Sequence, residues 1–125
     1  MTDNQMLRLM ALRGATTVDA DTQGDIRLRT EELLTALLER NHLAVDDIVS
    51  ILFTATPDLR ADFPAAAARA LGLSRTPLLC AQEIPVEGAM SRCIRVLIHC
   101  YGPPGEARHH VYLHEARQLR LDLPS

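Results

Sequence analysis

An arginine interrupts a stretch of the chain that is otherwise apolar on both of its alternating faces. The stretch reads Cys93-Ile94-Arg95-Val96-Leu97-Ile98-His99-Cys100. Apolar residues on both faces are typical of a strand that is covered on both sides. We therefore predict a covered strand over residues 93–101 that contains Arg95. Because a buried guanidinium without a partner costs several kcal/mol to desolvate, an anion is expected beside it.

The hydrophobic periodicity predicts two helices among four further strands. The strands are a first that starts at Leu7 and runs into Arg13, a second over 48–56, a third over 78–82 and a fifth over 111–113. The first helix has Ile26, Leu33, Leu34, Leu37 and Leu38 on one face, between a cap at Asp21 or Thr22 and an end at Asn41. The second follows Pro64 through the alanines 65–68 and stops at Gly72. This order predicts one domain, 1–125, with an α/β or α+β sandwich of sheet and helices.

Composition excludes several classes of function. The formal charge of −3, with two Tyr, two Phe and no Trp, gives neither the basic surface nor the aromatic platform of a nucleic-acid-binding protein. The sequence contains no stretch of about 18 apolar residues, which a membrane span would need, so we expect a cytoplasmic protein. An odd number of widely spaced cysteines, Cys80, Cys93 and Cys100, predicts reduced thiols rather than disulfides.

Arg13 and Glu83 give the arginine pattern two possible meanings. Glu83 closes the third predicted strand, and Arg13 ends the first, just before Gly14. One interpretation is a structural Arg–Glu pair that joins neighbouring strands. The other is a pocket for a carboxylate, whose planar shape matches the guanidinium fork. Two arginines against one glutamate leave a spare positive charge, which favours a carboxylate ligand, but the spacing alone leaves both interpretations open.

The remaining polar residues indicate neither a metal nor a nucleophile. His110 and His114 are four residues apart on a predicted strand, where they would not form a tight metal pair. The serines lie outside a G-x-S-x-G elbow, and the glycine patterns of nucleotide-binding loops are missing from the sequence. We therefore expect no metal and no cofactor. By default Tyr112 is a half-buried strand aromatic, and Phe63 is a hydrophobic staple before the alanine helix.

Several ordered segments resemble the monofunctional α/β-type chorismate mutases (the AroH class). They are Leu12-Arg13-Gly14-Ala15-Thr16-Thr17-Val18, Ala55-Thr56-Pro57-Asp58-Leu59 with Phe63-Pro64-Ala65, Cys80-Ala81-Gln82-Glu83, Cys93-Ile94-Arg95-Val96, His110-Val111-Tyr112-Leu113 and Leu119-Arg120. Their order and spacing match over residues 7–123, which is nearly the whole chain.

The resemblance implies a fold, an assembly and a reaction. The fold is a small mixed sheet with helices on the outside. Three subunits close into a trimeric pseudo-α/β-barrel, with active sites in the clefts between neighbours. The reaction is the cofactor-free Claisen rearrangement of chorismate to prephenate in aromatic amino-acid biosynthesis. Chorismate and the other two subunits are then the expected partners, with no nucleic acid and no membrane.

The resemblance also implies a role for each matching residue. Arg13 and Tyr112 would hold substrate carboxylates, Arg95 would reach the ether oxygen, and Glu83 would accept a hydrogen bond from the ring hydroxyl. The pocket lining would be Phe63, Ala65, Leu78, Leu79, Cys80 and Leu119, with Arg69 and Arg120 at the mouth. Two positions depart from the family pattern: Ala66 stands where many relatives carry a basic residue, and Leu79 replaces a small polar one.

Two other functions remain possible at this point. One is a non-catalytic trimeric module that binds a carboxylate in the same cleft, although it would not need an arginine at the ether-oxygen position. The other is an enamine/imine deaminase of a second small trimeric α/β family, which also uses an arginine to bind a carboxylate.

Overall fold

One mixed sheet organises residues 6–122, the part of the chain that the structure, a computed structural model, describes. Its five strands are β1 (Arg8–Thr17), β2 (Ile48–Ala55), β3 (Leu78–Gln82), β4 (Cys93–Gly102) and β5 (Val111–Tyr112). They lie in the order β3-β2-β4-β1-β5. Strand β4 is antiparallel to β1 and β2, whereas β3 is parallel to β2 and β5 is parallel to β1. The predicted mixed sheet is confirmed, with β4 at its centre.

The two predicted helices are also present, and their ends follow the sequence signals. Helix α1 covers Gln23–Arg40 and α2 covers Ala65–Ala70, with short 3-10 helices at Val45–Asp47 and His114–Asp122. The Thr22 side chain accepts a hydrogen bond of 3.1 Å from the backbone N–H of Asp25, as an N-cap does. Among the described residues, no helix is both long and apolar enough to cross a bilayer.

The hydrophobic core lies between α1, α2 and one face of the sheet. Alternate residues of the central strands, among them Leu12, Phe53 and Ile98, pack there against the leucines of α1. Successive side chains of a strand point to opposite faces, so this packing assigns every other residue to the helical side. The core leucines of α1 are Leu33, Leu34 and Leu37, three of the five residues that define the predicted helical face.

The opposite face of the sheet is open over much of its area. Ile94, Val96 and Ile98 of β4 are buried on the helical side, whereas Arg95 is exposed and Leu97 is partly exposed on the other. The prediction of a strand covered on both sides is therefore wrong for the single chain. Apolar residues on a strand indicate that a face can be buried. They do not indicate whether the same chain or another molecule covers it.

Strand β1 runs further than the sequence predicts. Its ladder with β4 continues without a break to the pair Thr17↔Cys93, which places Arg13 in the middle of the strand and not at its end. Gly14, just beyond the predicted end of the strand, lies within β1 and permits close packing. A Cβ on Gly14 would lie 2.9 Å from Cδ1 of Leu37 and 3.1 Å from Cδ1 of Leu33.

Strand β2 contains a β-bulge near its start. Ile48 pairs with Cys100 and Ser50 with His99, so that Val49 is an extra residue on β2. Two residues of one strand then oppose one residue of its neighbour. The bulge lets Ile48 reach the core while Ser50 lies on the open face, where its hydroxyl is 3.2 Å from Nδ1 of His99.

We expect the substitution Gly14→Ala to destabilise the fold by about 1–3 kcal/mol, the usual cost of overpacking a filled core. The added methyl group would have to displace the tips of Leu33 and Leu37. Chemical denaturation measures the change. Gly24→Ala in α1 is the matched control, because its Cβ would enter open space; its stability should be unchanged or slightly raised. An equal stability for both variants would contradict the packing role of Gly14.

Candidate active site

The strand register places three functional side chains in one row across the open face. Thr54 of β2 pairs with Arg95, Arg95 pairs with Ala15, and Ala15 pairs with Tyr112. Arg13 pairs with Leu97 and is a diagonal neighbour of Arg95, a relationship that separates two residues by about 7–8 Å. Four side chains distant in the sequence thus meet on one surface.

A pocket opens over this row. It has a volume of about 410 Å³ and is lined by Arg13, Arg95, Tyr112 and Leu119, with Thr54 and aliphatic side chains between them. This volume lies within the range of small-molecule sites, roughly 300–1,000 Å³. Tyr112 is partly buried on β5, as its default interpretation predicts. The pocket therefore combines an apolar wall with two guanidinium groups.

Glu83 lies at the edge of the row and contacts two of its members. Its Oε2 is 3.0 Å from Nε of Arg95 and accepts a hydrogen bond of 2.8 Å from Oγ1 of Thr54. The Glu83 side chain is 17 % exposed and that of Arg95 is 45 % exposed. A pair this accessible adds little stability. It engages Nε, so Glu83 does not use the fork formed by the terminal nitrogens of Arg95.

The charges of the site favour an anionic ligand. Arg13 and Arg95 contribute two positive charges and Glu83 one negative charge, which leaves one positive charge in excess. The structural Arg–Glu pair that the sequence suggests is present, and the spare guanidinium is present beside it. The two interpretations of the arginine pattern are therefore compatible. Arg95 and Glu83 form the structural ion pair, and Arg13 leaves a positive charge for a carboxylate ligand.

His110 is a contact of Arg13 that the sequence did not indicate. The backbone N–H of Arg13 donates to Nδ1 of His110 over 3.0 Å. Strand β5 begins only at Val111, opposite Gly14. The imidazole of His110 therefore accepts from the N–H of Arg13, as a backbone carbonyl of a longer β5 would. Burial, and then the charges of Arg13 and Arg108, lower the pKa of His110 below 6.5. The ring is therefore neutral near pH 7, and its Nδ1 can accept.

Two predicted lining residues lie on the other side of the sheet. Phe63 and Cys80 border a second pocket of about 350 Å³ together with Phe53 and Ala55. Those β2 residues alternate with Leu52 and Thr54, which line the first pocket and point the opposite way. One chain therefore does not bring Phe63 and Cys80 to Arg95. Phe63 is 68 % exposed, so it is not buried against α2 as a hydrophobic staple would be.

The other predicted residues are scattered over both sides. Ala65 is 4 % exposed in the core, and the partly buried Leu78 packs against the same core, so neither of them lines the arginine pocket. Leu79 is exposed in β3. Arg69 on α2 and Arg120 in the final 3-10 helix are exposed and line neither pocket. Their predicted roles at the mouth of a site would need a second chain or a different position of the terminus.

The described residues give little support for a reactive thiolate or for a metal site. Burial raises the pKa of Cys93 to about 11 and raises that of Cys100 as well, so both remain thiols. Residues 6–122 contain no group of three or more His, Cys, Asp or Glu side chains arranged to hold a metal ion. The site described above therefore consists of arginines, one carboxylate and two hydroxyl-bearing side chains.

Both the sequence and the fold match known proteins. The family model for chorismate mutase type I matches residues 9–123. Chorismate mutase AroH of Bacillus subtilis is 42 % identical over 119 residues, 94 % of each chain. The Thermus thermophilus enzyme of the same name is 46 % identical over 116 residues, 91 % of this chain and 95 % of the relative. A solved chorismate mutase from Clostridium thermocellum superposes with a TM-score of 0.82 at 45 % identity, covering 87 % of this chain and 98 % of that one.

The hydrogen bond between His110 and Arg13 predicts a specific loss of stability in acid. The pKa of His110 is below 6.5 in the folded chain, so the unfolded chain binds this proton more readily. The contribution of neutral His110 to the free energy of unfolding is complete above pH 6.5. It is lost as the pH falls through the lower pKa that the ring has in the folded chain. Melting temperatures from about pH 8 to about pH 5 should fall less in His110→Gln than in the parent. His109→Gln, at an exposed neighbour, is the control and should keep the parental slope; an unchanged slope in His110→Gln would contradict the role of the ring.

Proposed function

The chain belongs to the chorismate mutase type I family, and we propose that it rearranges chorismate to prephenate in the pocket over Arg13, Arg95 and Tyr112. The activity is that of an isomerase in aromatic amino-acid biosynthesis. In this reaction one molecule breaks its ether C–O bond while it forms a C–C bond. It requires no nucleophile or redox step. The protein has to hold a compact conformer of a flexible dianion and stabilise charge on the ether oxygen.

The position of Arg95 is the observation that carries the proposal. Its Nε is held beside Glu83, so the two terminal nitrogens can point at the ether oxygen and a nearby carboxylate. Negative charge grows on that oxygen as the C–O bond breaks. A guanidinium that is already oriented stabilises this charge without reorganisation during the reaction, which is how preorganised donors lower a barrier.

Arg13 and Tyr112 complete the proposed binding of the substrate. Both line the same pocket as Arg95. Arg13 is its diagonal neighbour on β1, and Tyr112 lies one strand further away, beyond Ala15. We assign them to the carboxylates, which keep their charge throughout the rearrangement. Their interaction is therefore similar in the bound substrate and in the transition state, and it contributes mainly to affinity.

The opposite placement of the two pockets supports an active site shared between subunits. The arginine pocket is on the open face, whereas Phe63 and Cys80 border the pocket behind it. Contact between two different patches of identical chains is heterologous, and it forms a ring when the rotation between neighbours closes. We propose a homotrimer in which the Phe63 side of one subunit covers the arginine pocket of the next. The cover would exclude water and strengthen the electrostatic effect of Arg95.

Two features of the chain agree with this assignment. Leu9, Leu79 and Tyr101 are large apolar residues exposed around the open face, as expected of a surface that another subunit covers. Cys80, Cys93 and Cys100 are free thiols, which fits a reducing compartment such as the cytoplasm. The family match argues against the deaminase alternative. A non-catalytic carboxylate-binding module of the same shape remains as the outcome that the next experiment would detect.

Arg95→Ala should lower kcat by about 10²–10³ or more, with a smaller effect on KM, because the lost interaction strengthens in the transition state. Arg95→Lys should recover part of the rate, since it keeps the charge but not the fork. Arg13→Ala, as the comparison variant, should act mainly on KM. Loss of chorismate absorbance gives both constants. A folded Arg95→Ala with near-parental kcat, or a parent that binds chorismate without turnover, would contradict the mechanism.

A mixture of two inactive variants tests the shared site. Arg95→Ala disables the arginine pocket, and Phe63→Glu places a carboxylate where a dianionic substrate would be covered. Refolded together, the two should regain activity at about one interface in four, where both halves are parental, if subunits mix at random. Each variant refolded alone is the control. No recovery from a mixture proven to contain hybrid trimers would exclude a shared site, and a fully active monomer in light scattering would exclude the trimer itself.

A further inference from the structure

We propose that Thr54 is a positioning residue for the reaction: its hydroxyl fixes Oε2 of Glu83, so that Oε1 faces the ring hydroxyl of the substrate. The inference rests on the role proposed for Glu83 and adds to it a residue outside the arginine, tyrosine and glutamate set. Thr54 would not touch the reacting atoms. It would act only through the carboxylate.

Two donors converge on the same oxygen of Glu83. Oγ1 of Thr54 lies 2.8 Å from Oε2, and Nε of Arg95 lies 3.0 Å from it. The two donors are cross-strand neighbours, because Thr54 on β2 pairs directly with Arg95 on β4. A carboxylate held at one oxygen from two strands has a fixed plane. Its second oxygen, Oε1, is then the acceptor directed away from both donors.

The backbone alone does not fix the direction of this carboxylate. Glu83 follows the last residue of β3 and is joined to the sheet by its own N–H, which donates to the carbonyl of Ala55 over 2.9 Å. Beyond Glu83 the chain leaves the sheet through Ile84 and Val86, both of which are exposed. A long side chain at such a strand end has several rotamers. The hydroxyl of Thr54 selects one of them.

Thr54 is better suited to this task than Arg95. Threonine is branched at Cβ and stiff at χ1, so its hydroxyl is oriented before substrate arrives. Arg95 has to serve the substrate with the same guanidinium that contacts Glu83, and its side chain is 45 % exposed. The hydroxyl of Thr54 has no such second task, so its hydrogen bond is the contact dedicated to Glu83.

Thr54→Val tests the proposal, because valine keeps the shape of threonine and removes the hydroxyl. We expect kcat to fall about 10-fold, the effect of losing one hydrogen bond to a charged group. Thr54→Ser should restore most of the rate. In a Glu83→Ala background, Thr54→Val should cause no further loss, because two residues that act as a unit are not additive. A merely structural hydroxyl would cause the same loss in both backgrounds.

Ser50→Ala is the matched control. Ser50 lies on the same face of the same strand, but its hydroxyl contacts His99 and not Glu83, so its kcat should be parental. Melting temperatures of all variants check the fold, and Thr54→Ala replaces the valine variant should that one not fold. Parental kcat in the Thr54 variants, or equal losses with and without Glu83, would overturn the proposal. Parental kcat in Glu83→Ala would instead overturn the role proposed for Glu83 itself.

Discussion

Hydrogen bonding of β4 along both of its edges is the constraint on which the sheet and the site depend. Its ladder with β1 and its ladder with β2 together decide which residues share a row and which face each side chain occupies. Because side chains alternate along a strand, a slip of one residue would move Arg95 from the open face into the apolar core. The packing of Val96 and Ile98 against the helices prevents that slip. The hydrophobic core therefore determines where the guanidinium lies, although the two are on opposite sides of the sheet.

Local signals in the sequence predicted the elements, and the errors have identifiable causes. The cap at Thr22 and the full extent of β3 follow from side-chain chemistry and β-propensity over a few residues. The continuation of β1 past Gly14 does not, because a glycine that admits neighbouring leucines cannot be told from one that ends a strand until those leucines are placed. The roles of Arg95 and Glu83 came from the family resemblance, and the structure places the two in contact. The contacts of His110 and Thr54 depend on strand register, for which a single sequence contains no direct signal.

The open face also explains why an arginine is found in an otherwise apolar strand. In the single chain the Arg95 side chain is 45 % exposed and beside Glu83, so its desolvation costs little and the fold tolerates it without an anionic ligand. A covering surface and an anionic ligand would change this balance together, because the first removes water and the second supplies the compensating charge. In the proposed trimer, such a guanidinium would be stable before assembly and would interact strongly only in the complete site.

The bulge at Val49 has a consequence for how sequences of this type can diverge. The extra residue absorbs a change of register between the 3-10 helix Val45–Asp47 and the part of β2 that pairs with Arg95. Insertions and deletions before Val49 would therefore alter the connection from α1 and leave the alignment of Thr54 intact. Between Ser50 and Ala55, an insertion or deletion of one residue would move the side chains beyond it to the other face of the sheet. The bulge therefore separates the start of β2, where a one-residue change of length would leave the Arg95 row intact, from the rest of the strand, where it would not.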